Sequence, residues 1–313
     1  MEGFAQTQGR SGIWGQNSID PSDLGLVSVV IPVYNEEEAI GHDLDVITKA
    51  MDISGIYYEV IVVDDGSGDR TSQIVESRKE VKLVRHDRNL GTGAALKTGI
   101  RHAKGDIVVM TDGDGTYPNH EIPALLSYMG EYDMVIGARK RERGTVPWLR
   151  TPAKAFIRTL ASYMTGVKIP DLNSGLRCFR KDVAEKFFPI LPQGHSWVST
   201  ITLAFLSSGY QVKFLPIDYY ERKGGKSSFH PVKDTLSYLG LVARTVMYFN
   251  PLKILGPLSL ALLTIGGAKL IRDVMVYNFH VPGSTIMIVL TGIQVLALGL
   301  IADLIVKRTS RDF

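Results

Sequence analysis

Short runs of apolar, largely β-branched residues recur along the first two-fifths of the chain, and each run ends in a polar segment. Near-continuous apolar runs of this length are typical of strands that are buried on both faces of a parallel sheet. The segments between several of these runs have the length and pattern of helices. The alternation predicts an α/β domain with an open, mostly parallel sheet, whose strands lie at 27–33, 58–63, 81–85, 106–111 and 132–137.

Polar residues cluster directly after three of these strands, in segments 34–37, 64–67 and 112–114. The carboxyl ends of parallel strands meet at one edge of an open sheet, and ligands bind at that edge. The three polar clusters are therefore expected to form a single site.

Two apolar runs occur near the end of the chain, at 254–268 and 281–302. The second reaches the roughly 20 residues that cross a bilayer. The first becomes long enough if its flanking Lys and Arg side chains extend to the interfaces; a buried core helix is the alternative. Because only a short polar link separates the runs, we expect a transmembrane hairpin over 251–308, with helices at about 252–272 and 283–306.

Positive charge predicts how this hairpin is oriented. The end of the chain after the second run carries Lys307, Arg308 and Arg311, and positively charged segments remain in the cytoplasm. Two basic residues at the far end of the hairpin weaken this preference without reversing it. The prediction is a multi-pass protein of the cytoplasmic membrane, whose two ends both face the cytoplasm and whose tail at 309–313 is cytoplasmic.

The remaining segments complete the predicted organisation. Residues 1–25 are rich in Gly, Ser, Gln and Asn and lack the apolar core of a signal peptide, which predicts a flexible tail before a cytoplasmic globular domain at 26–230. Over 231–250, apolar residues recur at spacings of three and four. This spacing predicts an amphipathic helix that lies in the membrane interface; an ordinary core-packing helix is the alternative.

Charge and cysteine content narrow the classes of function. The formal net charge is only +3, so the chain as a whole does not favour nucleic acid as a partner. The single cysteine, Cys178, excludes an intrachain disulfide and a thiolate metal cluster. The oligomeric state is open at this stage, and a homo-oligomer is compatible with the sequence.

The segment DGDG at 112–115 is the most informative candidate site. Asp112 and Asp114 follow a buried strand, and two carboxylates can hold Mg²⁺ or Mn²⁺ against phosphate oxygens because a hard cation retains several waters. The intervening glycines permit close approach of a diphosphate. Taken alone, such a motif is often a solvated turn, and its position after the fourth predicted strand favours the metal site.

Three other polar segments have both a functional and a structural interpretation. Asp64 and Asp65 could accept hydrogen bonds from a base or a ribose, and helix capping by Asp65 or Ser67 is the alternative. The basic segments 139–158 and 222–226 suit an anionic headgroup or phosphate, and solvated loops are the alternative.

Six segments occur along the chain in the following order: VSVVIPVYNEEEAI, VIVVDDGSGDRT, NLGTGAALKTGI, TDGDGTYP, DLNSGLRCF and ERKGGKSS. Together, and in this order, they resemble glycosyltransferase family 2, and more narrowly the polyprenyl-phosphate glycosyltransferases that include dolichol-phosphate mannose synthase. The similarity covers about residues 27–230, and the carboxy-terminal hairpin fits the bacterial two-span members.

The resemblance implies a GT-A, Rossmann-like fold and an inverting transfer of sugar from a UDP- or GDP-linked donor to undecaprenyl or dolichyl phosphate. It also implies roles for residues of this chain. Asp112, Asp114 and Asp171 are the implied catalytic residues, and the first two hold the metal. The implied nucleotide-sugar ligands are Pro32, Tyr34, Glu36, Asp65, Gly93, Lys97, Asp112 and Arg222, and the implied acceptor-phosphate ligands are Arg139, Arg150, Lys154 and Lys226.

One departure from the family pattern concerns the metal. Many relatives have Gln two residues after the second metal-binding Asp, where this chain has Thr116, so the third protein ligand is open. The nucleophile would be a phosphate monoester, whose second pKa is about 6. Because it is mostly dianionic near neutral pH, no general base is strictly needed, and Asp171 is as readily an orienting group as a base.

Two other interpretations remain. A processive polysaccharide synthase of the same superfamily would carry Q-x-x-R-W, which does not follow any glutamine here. A non-enzymatic membrane scaffold with a nucleotide-binding-like domain is the other, and the intact Asp112 and Asp114 disfavour it.

Overall fold

A computed structural model describes residues 24–140, 159, 161–163, 165–194, 196–221, 240, 247–248, 250–276 and 281–309. The predicted amino-terminal tail, apart from its last two residues, and nearly all of the predicted amphipathic helix at 231–250 lie outside these residues.

A seven-stranded sheet forms the centre of the described domain, in the order β3-β2-β1-β4-β6-β5-β7. The five predicted strands are confirmed, with ends that differ by at most two residues. The two remaining strands, β6 and β7, were not predicted. The strands are β1 Val27–Val33, β2 Tyr58–Asp64, β3 Val81–Arg85, β4 Ile107–Met110, β5 Met134–Arg139, β6 Arg177–Arg180 and β7 Val212–Ile217.

Helices cover both faces of this sheet, because alternate residues of each buried strand face opposite sides. Val29 and Ile31 of β1 join one apolar core, which includes the inner face of α1. Val30 joins a second core, which includes α3 and α6. The helices whose bounds lie within the described part of the domain are α1 Ile40–Ser54, α2 Thr71–Glu76, α3 Thr92–His102, α4 Ile122–Leu126, α5 Lys181–Lys186 and α6 Trp197–Ser207, with a 3₁₀ turn at Asn119–Glu121.

The strand β6 makes the sheet mixed. It lies between β4 and β5 and is antiparallel to both, with Arg177 paired to Met110 and to Ile136. The other pairings, β1 with β2 and β4, β2 with β3, and β5 with β7, are parallel. An antiparallel strand begins where its parallel neighbours end, so the segment before Arg177 reaches the edge at which β4 and β5 end.

Two long apolar helices, α7 Leu252–Val276 and α8 Gly283–Thr309, follow the domain. Only 11% and 17% of their most apolar windows are buried, so most of this apolar surface is not covered by the described part of the chain. They pack closely on one another: Ser259 Oγ donates to Gly292 O at 2.9 Å, and a Cβ on Gly292 would lie 2.9 Å from the Leu263 side chain. The predicted hairpin of helices is confirmed, and both helices extend a few residues beyond their predicted ends.

Candidate active site

The carboxyl ends of β1, β2, β4 and β5 and the start of β6 share one edge of the sheet. This arrangement brings together polar residues that are far apart in the chain. The segments that meet there are 34–37, 64–67, 112–116, 139–140 and 171–176.

The loops after β1 and β2 are bound to each other by hydrogen bonds. Asn35, at φ 55°, donates its backbone N–H to Ser67 Oγ at 2.9 Å and accepts the Gly68 N–H on Oδ1 at 2.8 Å. The Glu36 N–H donates to Thr71 Oγ1 at 2.9 Å. Beside this rigid double loop, the Tyr34 ring is 46% exposed, so it is available to a ligand.

Pro32 lies within β1, opposite Val63 of β2. It is buried. Within the described structure, Pro32 is therefore part of the sheet beneath the Tyr34 loop and has little surface for a ligand.

The Asp65 carboxylate is nearly buried and binds three groups of the protein. Its Oδ1 accepts from the Leu90 N–H at 3.0 Å and lies 2.7 Å from His86 Nδ1, and its Oδ2 accepts from the Gly91 N–H at 2.8 Å. Neither Asp65 nor Ser67 caps α2, so the capping alternative is wrong for both. A carboxylate has about four acceptor positions, which leaves Asp65 limited capacity for a ligand.

Gly93 and Lys97 hold a neighbouring turn of the protein. A Cβ on Gly93 would lie 2.4 Å from Pro192 O, so the close approach that needs glycine here is to the 192–194 backbone. The Lys97 ammonium donates to Phe188 O at 2.9 Å and to Leu191 O at 2.5 Å. Burial, reinforced by the charge of Arg101, lowers the Lys97 pKa. Both residues belong to α3, and both hold the 188–194 segment against that helix.

The DGDG turn follows β4 after one intervening residue, Thr111. Asp114 Oδ1 accepts from the Thr116 hydroxyl at 2.6 Å and from its N–H at 3.2 Å, so Thr116 orients Asp114. A Cβ on Gly113 would lie 2.9 Å from Val33 and 3.0 Å from Ile40, which shows that packing against β1 and α1 requires glycine at 113. Gly115 adopts φ 76°, which a side chain would strain.

Asp112 lies against a second glycine, from the segment before β6. A Cβ on Gly175 would lie 2.6 Å from Asp112 Oδ2, and the Gly175 N–H donates to the Tyr117 hydroxyl oxygen at 2.6 Å. Glycine at 175 therefore keeps open the space around one carboxylate oxygen of the acidic pair. Tyr117 is itself buried, and burial, with the charge of Asp112, raises its pKa.

A third carboxylate, Asp43 of α1, is hydrogen-bonded to the acidic turn. Its Oδ2 accepts from the Gly115 N–H at 2.8 Å, and its side chain is 3% exposed. Burial and the charge of Asp114 raise the Asp43 pKa to about 6, against the lowering effect of the Gly115 hydrogen bond. The sequence showed Asp43 only as a polar residue within a helix.

Asp171 and Arg139 form a buried, bidentate ion pair. The Arg139 Nε and Nη2 groups donate to Oδ2 and Oδ1 of Asp171 at 2.7 and 2.9 Å, and the guanidinium lies 5.2 Å from the Tyr219 ring centroid. Burial opposes ionisation of Asp171, but the hydrogen bonds and charge of Arg139 outweigh it and lower the Asp171 pKa. A carboxylate held in this way is an orienting group and a weak proton acceptor.

Arg177 is a site residue that sequence reasoning missed. Its guanidinium is fully buried at the start of β6, where it donates to Ser174 O, to Val198 O at 3.0 Å and to Thr202 Oγ1 at 2.8 Å. Burial lowers its pKa to about 10, although Tyr117, Asp171 and Asp112 oppose this change. Arg177 thus ties the segment before β6 to α6; an arginine inside an otherwise apolar stretch was the available signal.

A cavity of about 210 Å³ opens beside Asp112. It lies between the start of α3, the segment before β6 and the start of α6. Its walls are formed by Thr92, Asp112, Asn173, Gly175, Gly194, Trp197 and Val198.

Four predicted ligands cannot be placed: Arg150, Lys154, Arg222 and Lys226 lie outside the described residues. Within the described part of the chain, no three His, Cys, Asp or Glu side chains are grouped as a metal site. Two carboxylates suffice for a hard cation that keeps water or substrate oxygens as its other ligands.

Comparison with known proteins agrees with this architecture. The family model described as glycosyl transferase family 2 matches residues 28–188, and that described as the GtrB C-terminal hairpin matches 250–307. Two undecaprenyl-phosphate 4-deoxy-4-formamido-L-arabinose transferases are similar. The one from Aeromonas hydrophila is 30% identical over 91% of this chain and 89% of its own length. The one from Edwardsiella ictaluri is 31% identical over 68% and 66%.

Among solved structures, glucosyl-3-phosphoglycerate synthase from Mycobacterium tuberculosis, in complex with Mn²⁺, UDP and phosphoglyceric acid, has a TM-score of 0.59. The similarity covers 77% of this chain and 85% of that chain, at 18% identity, and it confirms the predicted GT-A fold. The relatives and the hairpin model also indicate association with a membrane. With a family match over half of its length and these relatives, the chain belongs to glycosyltransferase family 2.

Proposed function

We propose that this glycosyltransferase transfers a sugar, with inversion, from a UDP- or GDP-linked donor to undecaprenyl or dolichyl phosphate. The products are a polyprenyl-phosphate sugar and a nucleoside diphosphate. The observation that carries the proposal is the acidic pair Asp112 and Asp114 at the carboxyl edge of the sheet, beside a cavity, in a chain that continues into an apolar hairpin. The relatives, which are undecaprenyl-phosphate sugar transferases by name, support the same acceptor class.

The residues at the acidic turn fit Mg²⁺ or Mn²⁺. The donor set is two carboxylates, which hard cations prefer, and Gly175 leaves space against Asp112 Oδ2 that any side chain would fill. The Thr116 hydroxyl donates to Asp114 and holds it in place, and Thr116 stands at the position where many relatives have Gln. A bound divalent cation supplies charge that stabilises the leaving diphosphate.

The nucleoside of the donor is assigned to the double loop after β1 and β2. Tyr34 is exposed there and Glu36 is partly exposed, whereas Pro32 and Asp65 are buried beside them. These four residues are the proposed nucleoside ligands, and Asp65 contributes mainly by holding the 90–91 backbone. Gly93 and Lys97 contribute by holding the 188–194 turn, and Arg222 is proposed as a diphosphate ligand from the sequence alone.

Proton transfer is not required of any residue in this site. The acceptor phosphate monoester has a second pKa of about 6, so it is largely dianionic at neutral pH. The ion pair with Arg139 keeps Asp171 ionised and held on both oxygens. Asp171 therefore positions Arg139 and the segment before β6, while the reaction depends on bringing two anions together.

The acceptor phosphate is assigned to the side of the site nearest the hairpin. Leu172, beside Asp171, belongs to an apolar cluster against which Ile254 of α7 packs. The proposed acceptor ligands Arg139, Arg150, Lys154 and Lys226 would then meet a lipid phosphate at the membrane surface. The same arrangement leads us to propose a catalytic domain in the cytoplasm and a two-span anchor.

The test is transfer by the purified protein in detergent. The protein is incubated with Mg²⁺, undecaprenyl or dolichyl phosphate and one of UDP-glucose, UDP-galactose, UDP-N-acetylglucosamine or GDP-mannose, and a lipid-linked sugar is sought by mass spectrometry. At least one donor is expected to give product. If all four donors fail with both lipids, the result counts against the proposal.

The metal assignment has its own control. Asp114→Ala and excess chelator are each expected to reduce transfer by at least about 100-fold. Asp182→Ala removes an exposed carboxylate of α5 that pairs with Arg180 of β6 and should retain wild-type activity. Full transfer in chelator would refute the metal's role while leaving the acceptor class intact.

A further inference from the structure

Asp43 interrupts the apolar face of α1. Four neighbours on the buried face of this helix, Ile40, Leu44, Ile47 and Met51, are apolar, and an amphipathic helix ordinarily continues such a face at every third or fourth position. Asp43 occupies one of these positions and is 3% exposed. Because burial raises the pKa of its carboxyl to about 6, a charge is costly to keep there, and the contacts of Asp43 indicate what it serves.

These contacts lead to the acidic turn at 112–115. Asp43 Oδ2 accepts from the Gly115 N–H at 2.8 Å. The Asn119 amide favours the ionised form of Asp43, although its Nδ2 has no hydrogen-bond partner among the described residues. Asn119 is itself held by the Thr111 hydroxyl, which donates to Asn119 Oδ1 at 2.6 Å. Asp43 thus lies against both the turn and the segment that follows it.

The acidic turn depends on support from outside because it contains two glycines. Gly115 adopts φ 76°, and glycine restricts its own backbone less than any other residue. The Gly115 N–H belongs to the peptide group that starts at the Asp114 carbonyl, so the bond to Asp43 fixes the orientation of that peptide. Ile40, one turn earlier in α1, packs at the other glycine, since a Cβ on Gly113 would lie 3.0 Å from its Cδ1. Two residues of one helix therefore hold the turn.

Electrostatic repulsion links Asp43 to a cation at the same turn. In addition to burial, the charge of Asp114 raises the Asp43 pKa, so the two carboxylates are near enough to repel each other. A divalent cation held by Asp112 and Asp114 would offset this repulsion, because the attraction between opposite charges is strong in a partly buried site. The arrangement is unfavourable without a cation and favourable with one.

We propose that Asp43 is a positioning residue of the metal site. By accepting from the Gly115 N–H, it holds the turn in the arrangement in which Asp112 and Asp114 bind a divalent cation, and it does not touch the ion itself. The inference rests on the proposed function, because it presupposes that the turn binds a metal, and it adds a residue that acts through the turn. Outer groups of this kind commonly change metal affinity by about 10- to 100-fold.

The test measures Mn²⁺ binding directly, apart from catalysis. The full-length protein in detergent is titrated with Mn²⁺ at slightly alkaline pH, alone and with UDP or GDP, and free Mn²⁺ is followed by electron paramagnetic resonance. Asp43→Ala removes the acceptor and is expected to weaken Mn²⁺ binding about 10- to 100-fold. Asp43→Asn retains an oxygen for the Gly115 N–H and is expected to remain within about threefold of wild type.

Two other variants of the same helix serve as controls. Asp45→Ala removes an exposed carboxylate that pairs with Arg78, and Ile47→Val removes a methylene from the core. Both should bind Mn²⁺ as the wild type does. If Asp43 had only a structural role, Asp43→Ala and Ile47→Val would both lower the melting temperature in chelator, and neither would change the Mn²⁺ affinity of the folded protein.

Asp43→Leu keeps the core filled without an acceptor, and it replaces Asp43→Ala if that variant does not fold. Wild-type Mn²⁺ affinity in either folded variant would overturn the proposal. An equal loss in Asp43→Asn would also overturn it, because the effect would then come from charge and not from the hydrogen bond. If neither Asp43→Ala nor Asp43→Leu folds, Asp43 serves the fold and the proposal fails. A wild-type protein that binds no Mn²⁺ would instead refute the metal assignment of the proposed function, so the two failures are distinct.

Discussion

Single side chains at this site act mainly by fixing other groups. Asp171 and Arg139 were predicted from the sequence as a catalytic carboxylate and a phosphate ligand, and the structure joins them in one buried ion pair. A guanidinium committed to a carboxylate by two bonds orients well but has fewer donors left for a substrate.

Arg139→Ala is expected to lower the free energy of unfolding by roughly 3–5 kcal/mol, because it leaves Asp171 as a buried charge without its partner. Chemical denaturation of the detergent-solubilised protein measures this loss. Arg139→Ala combined with Asp171→Ala should recover part of the stability, since neither charge is then buried alone. Wild-type stability in Arg139→Ala would show that the guanidinium is not structural and would favour a direct role with the acceptor.

A second prediction concerns Asp43, whose pKa is about 6 in the fold against an ordinary value of 3.8 for an aspartate. Between these values the folded chain binds more protons than the unfolded chain, so this residue's contribution to stability falls as pH rises from about 4 to 6. The shift corresponds to roughly 3 kcal/mol. Asp43→Asn cannot ionise, and its side-chain oxygen can still accept from Gly115.

The measurement is the melting temperature of wild type and Asp43→Asn against pH, in chelator so that no cation is bound. The stability of the variant relative to wild type should rise between pH 4 and 7. A difference that is flat over this range would show that Asp43 titrates normally in the fold.

At the scale of elements, strand direction and glycine contacts decide which groups meet. The antiparallel strand β6 turns the end of one long loop back to the edge where β4 ends. In the hairpin, adjacent glycines have unequal environments: a Cβ on Gly266 would lie 2.8 Å from Val289 Cγ2, whereas one on Gly267 has no atom within 4 Å among those described. Close helix approach at small residues is the usual basis of packing in membranes.

These glycines form a matched pair for testing the hairpin. Gly266→Ala is expected to destabilise the α7–α8 pair by about 1–3 kcal/mol through overpacking. Gly267→Ala should be neutral or stabilising, because alanine favours helix by about 1 kcal/mol. Thermal unfolding in detergent tests both; equal effects would mean that the two helices do not pack through the Gly266 face.

At the scale of the whole molecule, the domain and its anchor are connected at one side of the site. Ile254, at the start of α7, packs on the cluster that contains Leu172 and Leu203. At about 1.5 Å per residue, the 25 residues of α7 extend roughly 37 Å, enough for a hydrocarbon core of about 30 Å. The proposed active site would then face the membrane surface at the point where the chain enters it.

The expected topology places both chain ends in the cytoplasm. A cysteine replacing Asn278, between the two helices, should react with a membrane-impermeant maleimide added to intact cells, whereas one replacing Arg311 should react only after lysis. Cys178 is buried, which keeps the background low. Labelling of position 311 but not 278 in intact cells would reverse the orientation.

The amino-acid pattern by itself determined much of the fold. Buried parallel strands are continuous apolar runs, so β1 to β5 could be predicted nearly residue by residue. Apolar length identified α7 and α8, and the position of Asp112 and Asp114 after a strand identified the acidic site. Each of these features depends on local composition, which a sequence displays directly.

Only the tertiary structure decided which distant groups share the site. The strand β6 has four residues and contains Arg177 and Arg180, so no apolar run marks it, and its antiparallel pairing depends on neighbours that lie far away in sequence. That pairing brings Asp171, Gly175 and Arg177 to Asp112. The tertiary structure also decides that Gly93 and Lys97 hold a turn of the protein and that Trp197 lines the cavity. Burial and hydrogen-bond partners of this kind arise only when distant segments pack together.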